Sequence, residues 1–235
     1  MRRNIQVLGW TLIWSGIFIF GYLGYQLFVT DLINAGVQAE AAEELEESFT
    51  SDGNDPLVET FDPGEYVGSD ETLPPELPDQ VDFHPIAAPD QGSSFAFLRI
   101  PKIGVDEVLF EGVDRQTLKS GPGHMESTPL PGEPGNSVLS GHRTTHGRPF
   151  FDLDLLDVGD GIEVETAIGV HVYRVREMRV VLPTDVWVTD YRPGGWMTLT
   201  TCNPKFSARE RLIVWAEMVS GPNYEFTQLH EAKFG

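Results

Sequence analysis

The chain reads as a mainly β protein, a closed or nearly closed all-β barrel with short connecting helices, preceded by one apolar helix and a long acidic stretch. Three observations carry this reading. Short runs of strand composition recur over residues 95–100, 107–111, 137–140, 161–166, 171–181, 197–201 and 212–219. Glycines and prolines punctuate the gaps between them, the pattern of many short strands closing on themselves. Charge is segregated along the chain, and this sets the folded part apart from what precedes it. Of a formal net charge of -20, residues 1–30 contribute +2 through Arg2 and Arg3, residues 31–92 contribute -17, and residues 93–235 contribute -5. A length of 235 residues leaves room for one domain of roughly 100 to 200 residues plus appendages. Binding nucleic acid needs a basic face to hold phosphates, and none is visible here.

Residues 7–29 carry no charge and are rich in Ile, Leu, Phe, Trp and Tyr. At about 1.5 Å per residue they would cross a hydrocarbon core of roughly 30 Å, so the expectation is a transmembrane helix over 7–29. A cleaved signal peptide is the rival, but its apolar region would be only about 7 to 15 residues long, and the small-x-small site at Ala39-Glu40-Ala41 lies at the wrong distance. Arg2 and Arg3 before the span put residues 1–6 in the cytoplasm and everything after the span outside the cell. Residues 30–92 hold 17 acidic groups, no Lys or Arg, and seven prolines, which predicts a disordered acidic linker that acts as a solvated tether. Within it, residues 35–49 contain good helix formers that would extend the first helix for a few turns.

The folded domain is expected over residues 93–220, with 221–235 as a C-terminal tail. Residues 95–100 and 107–111 alternate as strands do, with Pro101 and Gly104 between them. Residues 114–119 predict about one and a half helical turns, with Asp114 as N-cap and Gly121 as the stop. The remaining strand runs follow in order to residue 219.

The stretch that carries chemistry is Thr198-Leu199-Thr200-Thr201-Cys202, followed after a turn by Arg211-Leu212-Ile213-Val214. Two strands joined by the turn-like Asn203-Pro204 and Ser207 lie side by side, which brings the guanidinium of Arg211 near the only thiol of the chain. Sixty residues upstream, the short apolar strand of residues 137–140 ends in Gly141-His142, a source of a proton carrier. A lone Cys behind apolar strand residues is, out of context, a small buried hydrophobe. With one Cys no internal disulfide forms, so an exported thiol has no pairing role within the chain. His142 and His146 also spell H-x-x-x-H, but Gly141, Thr144, Thr145, Gly147 and Pro149 work against the helix that a zinc pair needs. His124, in a Gly-Pro-Gly-His turn, reads as structural, and Arg209 as solvated.

T-L-T-T-C, the earlier G-H and the Arg heading the next strand together resemble the sortase family, the membrane-anchored cysteine transpeptidases of bacterial cell walls. The resemblance extends to Phe97-Leu98-Arg99-Ile100-Pro101, Gly121-Pro122-Gly123-His124, Pro131-Gly132-Glu133-Pro134-Gly135-Asn136 and Leu156-Asp157-Val158-Gly159-Asp160, and covers about residues 93–220. It implies an eight-stranded barrel, Cys202 as nucleophile, His142 as proton carrier, Arg211 as oxyanion stabiliser and Thr201 beside the substrate backbone. No cofactor is expected, and although parts of the family are activated by calcium, no convincing acidic cluster for it stands in residues 93–235. The substrate is then a secreted protein with a C-terminal Leu-Pro-x-Thr-Gly-like signal cut between Thr and Gly, and the acceptor a cell-wall precursor amine or a pilin lysine. H-R-T-T-H-G with T-C-N-P-K-F-S-A-R-E-R-L-I-V is most similar to the class E sortases of actinobacteria, which would favour Leu-Ala-x-Thr-Gly, although those enzymes tend to carry Tyr in place of His146. Two other classes stay open on the residues alone: an envelope cysteine peptidase or amidase that passes the thioester to water, and a tethered binding module with an inert thiol.

Overall fold

The computed structural model describes residues 2–25, 30–51 and 81–234. The apolar N-terminal run forms helix α1 (Arg2–Gly24). Trp10, Leu12, Ile13, Trp14, Ile17, Phe18, Ile19 and Phe20 are each more than half exposed on it. Among the described residues no helix is long and apolar enough to cross a membrane. Residues 26–29, the end of the span expected over 7–29, lie outside the described residues, so the fold does not confirm that span.

Residues 30–51 are helical, as the helix formers at 35–49 suggested for part of them, but they are a docked helix and not part of a solvated tether. They form helix α2 (Thr30–Ser51), which docks on the outside of the barrel. Ala41 and Leu45 are buried there against Phe97, Val108 and Phe110, and the ring of Phe49 meets that of Phe97 edge-on with centroids 6.1 Å apart. The acidic residues that suggested a tether stay on the solvent side of this helix, with Glu40, Glu43, Glu44, Glu46 and Glu47 exposed. The remainder of the expected linker up to residue 80 lies outside the described residues. Residues 81–90 approach the barrel without helix or strand.

The barrel begins with an antiparallel hairpin, β1 (Ser94–Ile100) and β2 (Val105–Glu111), joined by a 3-10 turn at Pro101–Ile103. Gly104 closes that turn at φ 66, a conformation that glycine adopts without steric cost. The expected helix after it is the single turn α3 (Thr117–Ser120). Its N-cap is Gln116 and not the expected Asp114, which instead accepts the backbone N–H groups of Gln116 and Thr117, at 2.7 and 3.3 Å, in the turn that leads into the helix. Next come β3 (Gly123–His124), parallel to β2, and β4 (Gly135–Ser140), antiparallel to β3. Two further hairpins are β5 (Gly161–Thr166) with β6 (Gly169–Val181), and β7 (Gly195–Asn203) with β8 (Glu210–Ser220).

The strands close in the order β1-β2-β3-β4-β7-β8-β6-β5, the eight-stranded barrel expected from the sequence. The pairs β2·β3 and β4·β7 run parallel. Closure leaves no sheet edge, and one core fills the enclosed space, with Leu98, Ile100, Leu109, Leu139, Ile162, Tyr173, Met197 and Leu199 fully buried in it. A second cluster on the outer wall packs Ile213 and Trp215 against Val181 and Val188. The expected tail is ordered as helix α4 (Tyr224–Phe234), which buries Thr227 against β7 at Gly195. Just before it, the side chain of the buried Asn223 bonds both the N–H and the carbonyl of His84, at 2.8 and 2.9 Å.

Candidate active site

Strand alternation along β7 decides which side chains share a face. Met197, Leu199 and Thr201 are buried, whereas Thr200 and Cys202 are half-buried. Cys202 therefore stands on the outer face at the last turn of the strand. Directly opposite it in the antiparallel ladder is Arg211, the second residue of β8. Facing residues of such a pair hold their Cβ atoms about 4.5–5.5 Å apart, so the thiol and the arginine stem are neighbours. One guanidinium nitrogen of Arg211 donates to the carbonyls of Ala208 and Glu210, at 3.1 and 3.0 Å, which holds the fork against its own hairpin turn.

His142 reaches the same rim through the parallel pair. β4 and β7 run in one direction in register from Gly135↔Gly195 to Ser140↔Thr200, so both strands exit at the same end of the barrel. Two residues past that last pair lie His142 and Cys202. The exit is pinned by two hydrogen bonds, from Gly141 N to Thr200 O at 3.2 Å and from Thr201 Oγ1 to Gly141 O at 2.8 Å. Gly141 itself is forced by space, since a Cβ there would lie 2.6 Å from the ring of Phe150.

This arrangement revises the role expected for Thr201. Alternation turns its side chain to the face opposite Cys202, where it is buried and its hydroxyl proton is committed to Gly141. It ties the His142 loop to the strand that carries Cys202, and the outward face of that strand presents Thr200 and Cys202.

The ring of His142 stacks on that of His146, with centroids 4.9 Å apart and planes at 29°. Burial, and then the neighbouring His146, hold the pKa of His142 below the usual histidine value, so its neutral form is favoured. The pKa of His146 is also depressed, by burial first and by Lys119 next, with Asp31 opposing. Nδ1 of His146 is buried without a hydrogen-bond partner, and its backbone sits at φ 52.

One residue at the rim escaped the sequence reading. Arg143 is almost fully buried, and it bonds Phe151 O through Nε at 2.8 Å, Cys202 O at 3.4 Å and Asp154 Oδ1 at 2.8 Å. It clamps the backbone of Cys202 to the loop that follows His142. The only signal in the sequence was its place beside Gly141-His142, and an arginine in a polar loop reads as solvated.

The fold and the rim define a class, a closed β-barrel that brings the thiol of Cys202, the imidazole of His142 and the arginine Arg211 to the end of a parallel strand pair. The sortase domain family matches residues 98–219, more than half of the chain, and the chain belongs to the sortase family. It is 31% identical to sortase SrtE1 of Streptomyces coelicolor over 91% of this chain and 57% of that protein. It is 26% identical to sortase SrtE2 of the same organism, over 92% of this chain and 83% of that one. The crystal structure of Streptomyces coelicolor sortase E1, which has a tripeptide in its active site, superposes with a TM-score of 0.53 at 37% identity, covering 56% of this chain and 92% of that one. The chain thus spans little more than half the length of SrtE1 itself.

Proposed function

We propose that the protein is a membrane-anchored sortase transpeptidase that cuts a Leu-Ala-x-Thr-Gly or Leu-Pro-x-Thr-Gly-like sorting signal between Thr and Gly and passes the acyl group to an amine. The observation that carries this reading is the parallel β4·β7 pair, which delivers His142 and Cys202 to one rim with Arg211 across the ladder. Neutral His142 takes the proton of the Cys202 thiol, and the thiolate sulfur attacks the threonine carbonyl carbon. Arg211 donates to the oxyanion of the tetrahedral intermediate. As that intermediate collapses, the C–N bond breaks, the departing glycine amine takes the proton from His142, and a thioester remains on Cys202. An incoming amine attacks the thioester, gives its proton to His142, and releases the free enzyme. The tripeptide in the relative's active site supports a short peptide as the ligand.

The anchor is part of the proposal. α1 carries its large apolar side chains exposed, so it calls for an apolar surrounding, and Arg2 and Arg3 precede it. The barrel then works outside the cell, on secreted proteins and with a cell-wall precursor amine or a pilin lysine as acceptor. The test is the mass of the full chain after incubation with either peptide. An acyl adduct on the wild type and none on Cys202→Ala, with turnover rising when an amine is added, is the expected result. Residual cleavage by Cys202→Ala would remove the mechanism, and products indifferent to added amine would make the protein a hydrolase.

A further inference from the structure

We infer that α2 is a positioning element of the active site, with Asp31 and Asn34 holding the 142–148 loop in its course. This rests on the reading of His142 as the proton carrier. The loop turns on three successive residues with positive φ: His146 at 52, Gly147 at 75 and Arg148 at 54. Residues that bear a Cβ keep such conformations only where their surroundings hold them. Within the loop the support is slight, a hydrogen bond from Arg148 N to Thr145 O at 3.1 Å and one from Phe150 N to His142 O at 3.2 Å.

Arg143 ties the start of the loop to Phe151 O, Asp154 and Cys202 O, and the positive-φ residues at its far end are supported from α2. Asp31 Oδ1 accepts the N–H of Gly147 at 3.2 Å, and Asp31 Oδ2 lies 3.2 Å from the guanidinium of Arg148. Asn34 is buried and spends both amide hydrogens on Lys119 O and Ser120 O, each at 2.9 Å. That turns its oxygen against the loop so closely that a Cβ on Gly147 would lie 2.0 Å from it. Gln38, one helical turn further on, fills the gap between β2 and α3. It accepts from Val108 N at 2.6 Å and donates to Ser120 O at 2.7 Å. One face of α2, at spacings of three and four residues, therefore touches the histidine loop, the end of α3 and the edge of β2 in turn. The same face continues into the buried Ala41 and Leu45, so the helix has a fixed seat.

The chain of contacts runs from Asp31 to Gly147, to its neighbour His146, and through the ring stack to His142. The Asp31–Arg148 ion pair is partly exposed and adds little, whereas the hydrogen bond to Gly147 and the close approach of Asn34 fix the loop.

The test uses the full chain, a sorting-signal peptide and an amine acceptor. Asp31→Ala and Asn34→Ala should lower kcat about tenfold with KM within about twofold, because the chemistry loses alignment while the substrate face is untouched. Asp31→Asn, which keeps an acceptor for Gly147 N–H, should recover most of the loss. Gly147→Ala should be impaired, and adding Asn34→Ala to it should restore part of the rate by removing the clash. Independently of turnover, the ring resonances of His142 in the NMR spectrum should shift in Asp31→Ala. Wild-type kcat and an unmoved His142 resonance in both alanine variants would overturn the proposal. A wild type that forms no acyl-enzyme, yet whose His142 resonance still responds to Asp31→Ala, would instead overturn the catalytic reading of His142 and leave the mechanical link standing.

Discussion

Arg211 faces Cys202 across the last rungs of the β7·β8 ladder, and one of its nitrogens is held by Ala208 O and Glu210 O. Those bonds fix a planar fork, which leaves the other donors in a set direction. A lysine supplies the charge on a flexible stem but not the fork. Arg211→Lys should therefore acylate nearly as slowly as Arg211→Ala, with a loss of roughly a hundred- to a thousandfold as expected for one oxyanion donor. Its thiol should still alkylate with small reagents at close to the wild-type rate, since thiolate formation follows local potential. Arg209→Ala, exposed two residues earlier, serves as the control and should stay within a few fold. Turnover at the wild-type level with Lys at 211 would reduce the role to simple charge. A second residue-scale expectation concerns His171, which is wholly buried and whose burial depresses its pKa to about 4. Its ring fills the space in front of Gly132, where a Cβ would lie 2.3 Å from it. The folded state keeps this ring neutral while the unfolded chain protonates near 6.5, so its contribution is complete above pH 6.5 and is lost as the pH falls toward 4. The loss is about 3 kcal/mol at the acid end. Denaturant unfolding of the wild type between pH 7 and 4 should show a slope about one proton steeper than that of His171→Leu, and equal slopes would contradict it.

At the scale of elements, what the sequence revealed depended on whether a segment's burial was carried by apolar side chains. β5 alternates Ile162, Val164 and Thr166 inward, and β7 alternates Met197, Leu199 and Thr201, so their period of two was plain. β3 has two residues, Gly123 and His124, and no periodicity can be read from two positions. The docking of α2, whose helix over 35–49 was expected, was missed for a different reason. Its inward face runs through Asn34, Gln38, Ala41 and Leu45, and half of it is amide, so hydrophobic patterning is weak even though the helix is docked. Amides there replace strand partners, and nothing local in the sequence announces which distant carbonyls they meet. The same holds at the rim. Cys202, His142 and Arg211 were legible because each stands at a strand end with a distinctive neighbour. Arg143 was not, because its partners Phe151, Asp154 and Cys202 come together only when the loop folds over β7.

At the scale of the whole molecule, the docking of α2 narrows where the chain is open to attack. If α1 is oriented as proposed, protease added outside intact cells should spare residues 31–51, and a barrel clipped in the acidic, proline-rich sequence that follows them should keep α2 bound through the Ala41 and Leu45 seat. Recovery of a fragment that begins within residues 31–51 would show that the helix is not held there, and complete protection would reverse the orientation proposed for α1. The parallel seam between β4 and β7 has a consequence for how such a chain comes to life. Parallel neighbours cannot be joined by a tight turn, and here the connection is residues 141–194, which contain all of β5 and β6. The seam that unites the imidazole with the thiol therefore closes across much of the domain, and contacts of such long sequence separation carry a large entropic cost and form slowly. No early hairpin holds both groups. As the chain folds, Cys202 has no His142 beside it until this seam has closed, so on the mechanism proposed above a half-finished chain stays chemically quiet.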